Sequence, residues 1–311
     1  MKKTAFDKHG LDVSRLGLGT VQFGVDYGFT KALGQSAVDE ILDLCSERGV
    51  TYLDTARSYG DSEEKIGDYF SRRPKARFVV ASKFARIEKE QAESVRDLVG
   101  ALRDSLLASG RALGRDADMT LLHQSDDFLI SNPFFWEALS LLKQEGLLNL
   151  FGVSFYEPKD IDTILNRTDA SMDFVQIPFN VFDRRFEAAG SRLREAGISV
   201  VCRSAYLKGM IAVASAELPA WAAGLAPHKA ELEAAARRSG FSAEEAALLF
   251  CMKTGFIDTT IVGVDNAGQF KRNADIADRF GEADMLMGGL KGLDVSVPEL
   301  IDPRMWAQYG F

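Results

Sequence analysis

The chain has 311 residues, 46% of them hydrophobic and 26% charged, a globular composition with room for two average domains or one large α/β barrel. Thirty-seven basic against 45 acidic side chains leave a net charge of −8, which argues against general binding to a nucleic-acid backbone. No run reaches the roughly 18 apolar residues of a membrane helix, and no apolar core follows the first lysines as in a secretory signal, so a cytoplasmic protein without a membrane partner is expected.

From the N-terminus, residues 4–14 read as a hairpin turning at Lys8-His9-Gly10. Eight short apolar runs follow, at 15–20, 50–55, 77–83, 119–123, 148–154, 173–180, 198–204 and 258–264. They are β-branched or Leu-rich and continuously apolar, as parallel strands buried on both faces are. Between them the spacing predicts helices over 35–48, 62–70, 91–109, 133–144, 158–165, 183–196 and 266–278. In the first, Val38, Ile41, Leu42 and Cys45 make one apolar stripe, with Ser36 as cap and Gly49 as stop. The 91–109 segment repeats the pattern with Val95, Leu98, Val99, Leu102 and Leu106. An eighth helix opens at Ser242 and Glu245, which have capping-box spacing.

Strands alternating with helices in this number predict an α/β fold, a (β/α)8 TIM barrel forming one domain over 1–311. An open doubly wound sheet would also alternate. Residues 205–240 are too long for a loop and read as a partly helical insert or lid, and 281–311 as a C-terminal extension packed on the barrel. Cys45, Cys202 and Cys251 lie in apolar runs without CxxC spacing and read as core residues. With three histidines and no ligand cluster, no metal site is expected.

Such a barrel carries its chemistry at the C-terminal ends of the strands. Asp54, Lys83, His123, Ser154, Gln176 and Arg203 stand there, and Tyr59 follows in the loop after Asp54. A phenol is a poor acid at neutral pH, because its ordinary pKa is about 10. A nearby ammonium favours the phenolate and brings proton donation into range, while a carboxylate holds that ammonium in place. An imidazole could then orient a carbonyl oxygen. Each residue also has a plainer reading: Asp54 as a turn cap, Lys83 as a solvated lysine, Tyr59 as a turn residue, His123 as a structural histidine. Their joint position at one end of successive strands favours the chemical reading.

The segment from Tyr52 to Gly67, with Asp54-Thr55-Ala56, Tyr59-Gly60, Ser62-Glu63 and Gly67 in frame, resembles the signature of the aldo-keto reductase superfamily. Leu16–Thr20, Lys83, Leu122-His123, Gly152-Val153-Ser154 and Gln176–Asn180 continue the resemblance in order, over essentially the whole chain. It implies a catalytic tetrad of Asp54, Tyr59, Lys83 and His123, and an NADP(H) or NAD(H) cofactor at the barrel mouth without a Rossmann domain. By the same resemblance Ser154 and Gln176 would hold the carboxamide, Ser204 and Leu207 the pyrophosphate, and Asn273 the adenine. Thr20, Arg203, Gly263 and Gln269 are further candidates for the cofactor site. The implied partner is a small carbonyl or alcohol substrate, sugar-type molecules included, and the implied assembly is a monomer or small homo-oligomer.

Departures from the family pattern fall mainly on the cofactor side. Phe155 stands where many relatives carry Asn, Arg203 where a Tyr stacks on the nicotinamide, and Gln124-Ser125-Asp126 in place of a Pro-Asp neighbourhood. Gly263, Asp265 and Gln269 replace the Lys, Ser and Arg set that holds a 2′-phosphate, so NAD(H) is expected to be accepted. Loop aromatics, among them Tyr27, Phe128, Phe134, Phe135, Trp221 and Trp306, are candidates for a substrate pocket. The superfamily also contains non-catalytic nicotinamide-binding regulatory or partner subunits, an alternative that the intact tetrad disfavours.

Overall fold

In the computed structural model, which describes residues 3–6, 9–26, 31–123, 127–168 and 170–309, every predicted apolar run forms a strand. After the hairpin β1 (Lys3–Phe6) and β2 (Leu11–Ser14) come β3 (Leu16–Gly19), β4 (Tyr52–Asp54), β5 (Val79–Lys83), β6 (Met119–Leu122), β7 (Leu150–Ser154), β8 (Phe174–Pro178), β9 (Ser199–Arg203) and β10 (Thr259–Gly263). The last eight pair in parallel in the order β10-β3-β4-β5-β6-β7-β8-β9 and close on themselves. Closure rests on the register from Thr260 against Leu16 to Gly263 against Gly19, a pairing that an open sheet lacks. The fold is a (β/α)8 barrel.

Residues alternating along the strands serve two cores. Tyr52, Ala81, Met119, Leu121, Phe174, Val201 and Ile261 point inward, and Phe6 and Val13 of the hairpin complete this inner cluster at the N-terminal end of the barrel. Their neighbours Leu53, Val80, Leu122, Val153, Val175 and Val200 pack outward against the helices. The inner volume suits two large rings only because adjacent strands are bare. A Cβ on Gly152 would come within 2.8 Å of the Phe174 ring.

The helices follow the predicted stripes with shifted ends. The 91–109 segment begins instead at Val95, because the Ser94 side chain accepts from the Asp97 N–H, and runs to Leu113, where Gly114 turns left-handed at φ 70. The 183–196 helix shortens to Glu187–Glu195, since Asn180, Asp183 and Arg185 are tied into a side-chain-bonded turn ahead of it. Ser242 and Glu245 form the expected capping box of the helix Ala243–Lys253. A one-turn helix, Val21–Gly24, extends the first strand and was not foreseen from the sequence.

Residues 205–240 are three short 3₁₀ turns, Leu207–Gly209, Ser215–Glu217 and Ala220–Leu225, followed by a full helix, Ala226–Arg238. The tail adds Asp284–Gly289, Pro298–Ile301 and Pro303–Tyr309. Several aromatics considered for a substrate pocket are packing residues instead. Phe135 is buried against Trp136 and Phe151, and Trp306 is buried against Trp221 with its Nε1 donating to the Glu299 carbonyl at 2.8 Å. Phe134 is 41% exposed on the helix Pro133–Gln144. Lys8, Tyr27 and Gln124-Ser125-Asp126 lie outside the described residues. Among the described residues no helix is long and apolar enough to cross a membrane.

Candidate active site

Side chains from β4, β5 and β8 and from the loop after β4 meet in one hydrogen-bonded group, with His123, past β6, packed beside it. Lys83 Nζ, buried at the end of β5, donates to Asp54 Oδ2 at 2.8 Å, to the Thr55 carbonyl at 2.8 Å and to Tyr59 Oη at 3.3 Å. These three acceptors match its three protons. Gln176 on β8 donates from Nε2 to Asp54 Oδ1 at 2.7 Å, so both carboxylate oxygens are engaged from different sides of the barrel. His123, just past β6, presents its ring edge-on to Tyr59, with centroids 5.6 Å apart and planes at 79°, and its Nδ1 lies 3.1 Å from Ser58 Oγ.

Burial dominates the acid-base balance. It pushes the Tyr59 phenol above its ordinary value, with Lys83 pulling the other way and Asp54 adding to the rise. The expectation of a lowered phenol is therefore corrected: the ammonium offsets desolvation and does not overcome it. Burial also works against the Lys83 ammonium, yet Asp54 and Tyr59 outweigh it and leave lysine's pKa above the ordinary value. His123 is brought down to about 3 by burial, then by the positive charges of Lys83 and Arg203, so the imidazole is neutral at pH 7.

The loop that brings Tyr59 here is braced on several sides. Arg57 is paired with the buried Glu63, which also accepts from Ser82 Oγ. The backbone of Gly60 lies so close to Gly24 that a Cβ on Gly60 would stand 2.1 Å from the Gly24 carbonyl oxygen. Thr20, buried after β3, turns its hydroxyl onto the Asp54 carbonyl at 3.0 Å and Ser62 Oγ at 2.8 Å. Its side-chain bonds therefore run within the scaffold.

The remaining candidates form an arc over β7 to β10. Ser154 is buried in register with Gln176. Arg203 donates to the Phe155 carbonyl at 3.1 Å and lies over the Tyr156 ring at 4.2 Å, while the Phe155 side chain points into the outer core. Past β9 the backbone takes left-handed angles at Ser204, Leu207 and Lys208, with φ of 65, 49 and 51. Three such non-glycine residues in one short loop, followed by Gly209 at φ 90, are a strained turn of the kind found at functional sites. Asn273 accepts from Tyr206 Oη at 2.6 Å. Gln269 and Asp265 are closed on each other, Asp265 N donating to Gln269 Oε1 at 2.8 Å and Gln269 Nε2 to Asp265 Oδ2 at 3.1 Å.

Sequence reasoning missed Ser58, Tyr156 and Gln22. Gln22 is buried with its Oε1 unpartnered, and its amide stands 2.8 Å from where a Cβ on Gly263 would be. Only the glycine at 263 was a signal, since a side chain there would collide with the Gln22 amide.

Among known proteins, the Aldo/keto reductase family model matches residues 15–285. The chain is 31% identical over 218 residues to an uncharacterized oxidoreductase, YqkF, of Bacillus subtilis, covering 68% of this chain and 67% of that one. It is 28% identical over 233 residues to the NADH-specific methylglyoxal reductase of Escherichia coli, with 68% and 69% covered. Over 304 residues it is 22% identical to D-threo-aldose 1-dehydrogenase from a Pseudomonas species, with 86% and 90% covered. Among solved structures, the holo form of the aldo-keto reductase AKR11C1 from Bacillus halodurans has the same fold, with a TM-score of 0.77 at 24% identity over 96% of this chain and 97% of that one.

Proposed function

The chain belongs to the aldo/keto reductase family, and on that premise we propose that it interconverts a small aldehyde or ketone and its alcohol with a nicotinamide cofactor, Tyr59 being the proton donor and acceptor. The observation that carries this reading is the continuous line Gln176–Asp54–Lys83–Tyr59, ending at a phenol beside a neutral imidazole. When bound, the nicotinamide supplies the hydride.

The roles follow from the contacts. Tyr59 gives its proton to the carbonyl oxygen as charge develops there, and the Lys83 ammonium, held by Asp54, stabilises the phenolate left behind. His123, neutral, donates an N–H to the same oxygen and orients it. Because burial keeps the phenol protonated at neutral pH, carbonyl reduction has its acid available, whereas alcohol oxidation has to remove that proton and speeds up as pH rises.

The residues present suit a dinucleotide. The left-handed turn from Ser204 to Lys208 is closed on itself, the Leu207 N–H donating to the Ser204 carbonyl at 2.9 Å, and would hold the Ser204 hydroxyl for a pyrophosphate. Ser154 and Gln176 would take the carboxamide, and the guanidinium of Arg203, backed by Tyr156, has a second face for the nicotinamide. Ser204 and Leu207 would meet the pyrophosphate, with Gly263, Gln269 and Asn273 toward the adenosine. The bond of Thr20 to the Asp54 carbonyl favours a bracing role over a direct cofactor contact. At the adenosine end, Gln269 is spent on Asp265, and Lys271 is paired with Asp275 at 2.7 Å. A 2′-phosphate would face a carboxylate there, which favours NAD(H), as does the likeness to the NADH-specific methylglyoxal reductase of Escherichia coli.

The test is NADH oxidation with methylglyoxal and a panel of aldoses. Tyr59→Phe should lose about 100-fold or more in kcat. Equal rates in variant and wild type would overturn the Tyr59 assignment, and NADH binding without turnover of any carbonyl would favour a non-catalytic subunit. By fluorescence quenching NADPH should not bind as much as tenfold tighter than NADH.

A further inference from the structure

An imidazole with one proton has two tautomers, and only one of them helps a carbonyl. If Nδ1 carries the proton, Nε2 turns a lone pair toward the carbonyl oxygen and repels it; if Nε2 carries it, the ring donates. His123 is in the one-proton state, because burial and two neighbouring cations bring it to about 3. What sets the tautomer is the partner of the other nitrogen, and that partner is Ser58 Oγ, 3.1 Å from Nδ1.

We propose that Ser58 is a positioning residue that donates its hydroxyl proton into Nδ1 of His123, holding the ring in place and keeping the proton on Nε2. The inference rests on the function proposed above. It is carried by geometry. Ser58 is exposed and has no other described hydrogen bond, so its hydroxyl can rotate to give its proton to the ring, the direction that the proposed reaction needs. Its backbone cannot drift, because both neighbours are anchored: Arg57 to Glu63, and Tyr59 through its side chain to Lys83 and its N–H to the Ala56 carbonyl at 3.0 Å. The same short loop thus delivers the proton donor, Tyr59, and the group that orients its electrophilic partner, His123. Within the sequence frame, Ser58 stands in the gap between Ala56 and Tyr59 that motif reading leaves unassigned.

The experiment uses ¹⁵N-histidine-labelled protein. The chain has three histidines, and the ring signals that vanish in His123→Gln are those of His123. In wild type the long-range ¹H–¹⁵N spectrum should show His123 protonated at Nε2 and hydrogen-bonded at Nδ1. Ser58→Ala should mix the tautomers and lower kcat on methylglyoxal about fivefold to tenfold, the size expected for one hydrogen bond, with the NADH dissociation constant unchanged. Ser58→Thr, which keeps the hydroxyl, should restore both the spectrum and kcat. An unchanged ring spectrum in Ser58→Ala, or a wild type protonated at Nδ1, overturns the proposal. Failure of the function itself would show separately, as full turnover by Tyr59→Phe, and the ring spectrum would still decide the role of Ser58.

Discussion

Burial beside Lys83 and Arg203 brings His123 to about 3, whereas in an unfolded chain it titrates near 6.5. Above 6.5 both states hold the ring neutral and the contribution to stability is complete. As pH falls below 6.5 the unfolded chain takes up a proton that the folded one refuses, so stability is lost progressively down to about 3. Between about pH 7.5 and pH 5, wild type should lose roughly 1–2 kcal/mol more unfolding free energy than His123→Gln, whose side chain cannot titrate, as measured by urea denaturation. Equal losses would mean that the ring is not held neutral. This behaviour was only half legible in the sequence. Strand-end spacing brought Asp54, Tyr59, Lys83 and His123 to one place, and chemistry coupled the phenol to the ammonium. The direction of the Tyr59 shift was missed because depth of burial belongs to the packed loop and not to any residue type.

At the scale of elements, the segment after β9 is held by an ammonium that the reaction does not use. Lys229, buried on the helix Ala226–Arg238, donates to the carbonyls of Met210, Ile211 and Val213 at 2.8, 2.8 and 2.6 Å. Those carbonyls directly follow the left-handed turn, so the lysine clamps the chain where the backbone is most strained. Lys229→Met keeps the stem and removes three charge-assisted bonds, leaving buried carbonyls unmet. It should cost about 2–4 kcal/mol in urea unfolding and weaken NADH binding. A loss below about 0.5 kcal/mol would show the clamp to be dispensable. Periodicity exposes the helices with clear apolar stripes, but a lysine amid an alanine-rich helix reads as a solvated residue. Its partners lie 16 to 19 positions away in a segment with no repeat, and only the fold unites them.

For the whole molecule, the strand count could be read from eight apolar runs, but not the closure, which depends on β10 meeting β3 in register. Nor could the filling of the barrel be read, because it depends on glycine opposite a ring, as at Gly152 and Phe174. The hairpin matters at this scale as well. Phe6 is fully buried and meets Phe174 edge-on at 6.3 Å, closing the inner core from the N-terminal side. Phe6→Ala should therefore lower global stability by about 3–5 kcal/mol in thermal unfolding, an effect out of proportion to a terminal segment. A change below about 1 kcal/mol would show that the barrel core does not need the hairpin. A plug of this kind ties the fate of the first dozen residues to that of the whole barrel: strip the hairpin away and what is lost is a wall of the interior, with Phe174 and its neighbours left facing water.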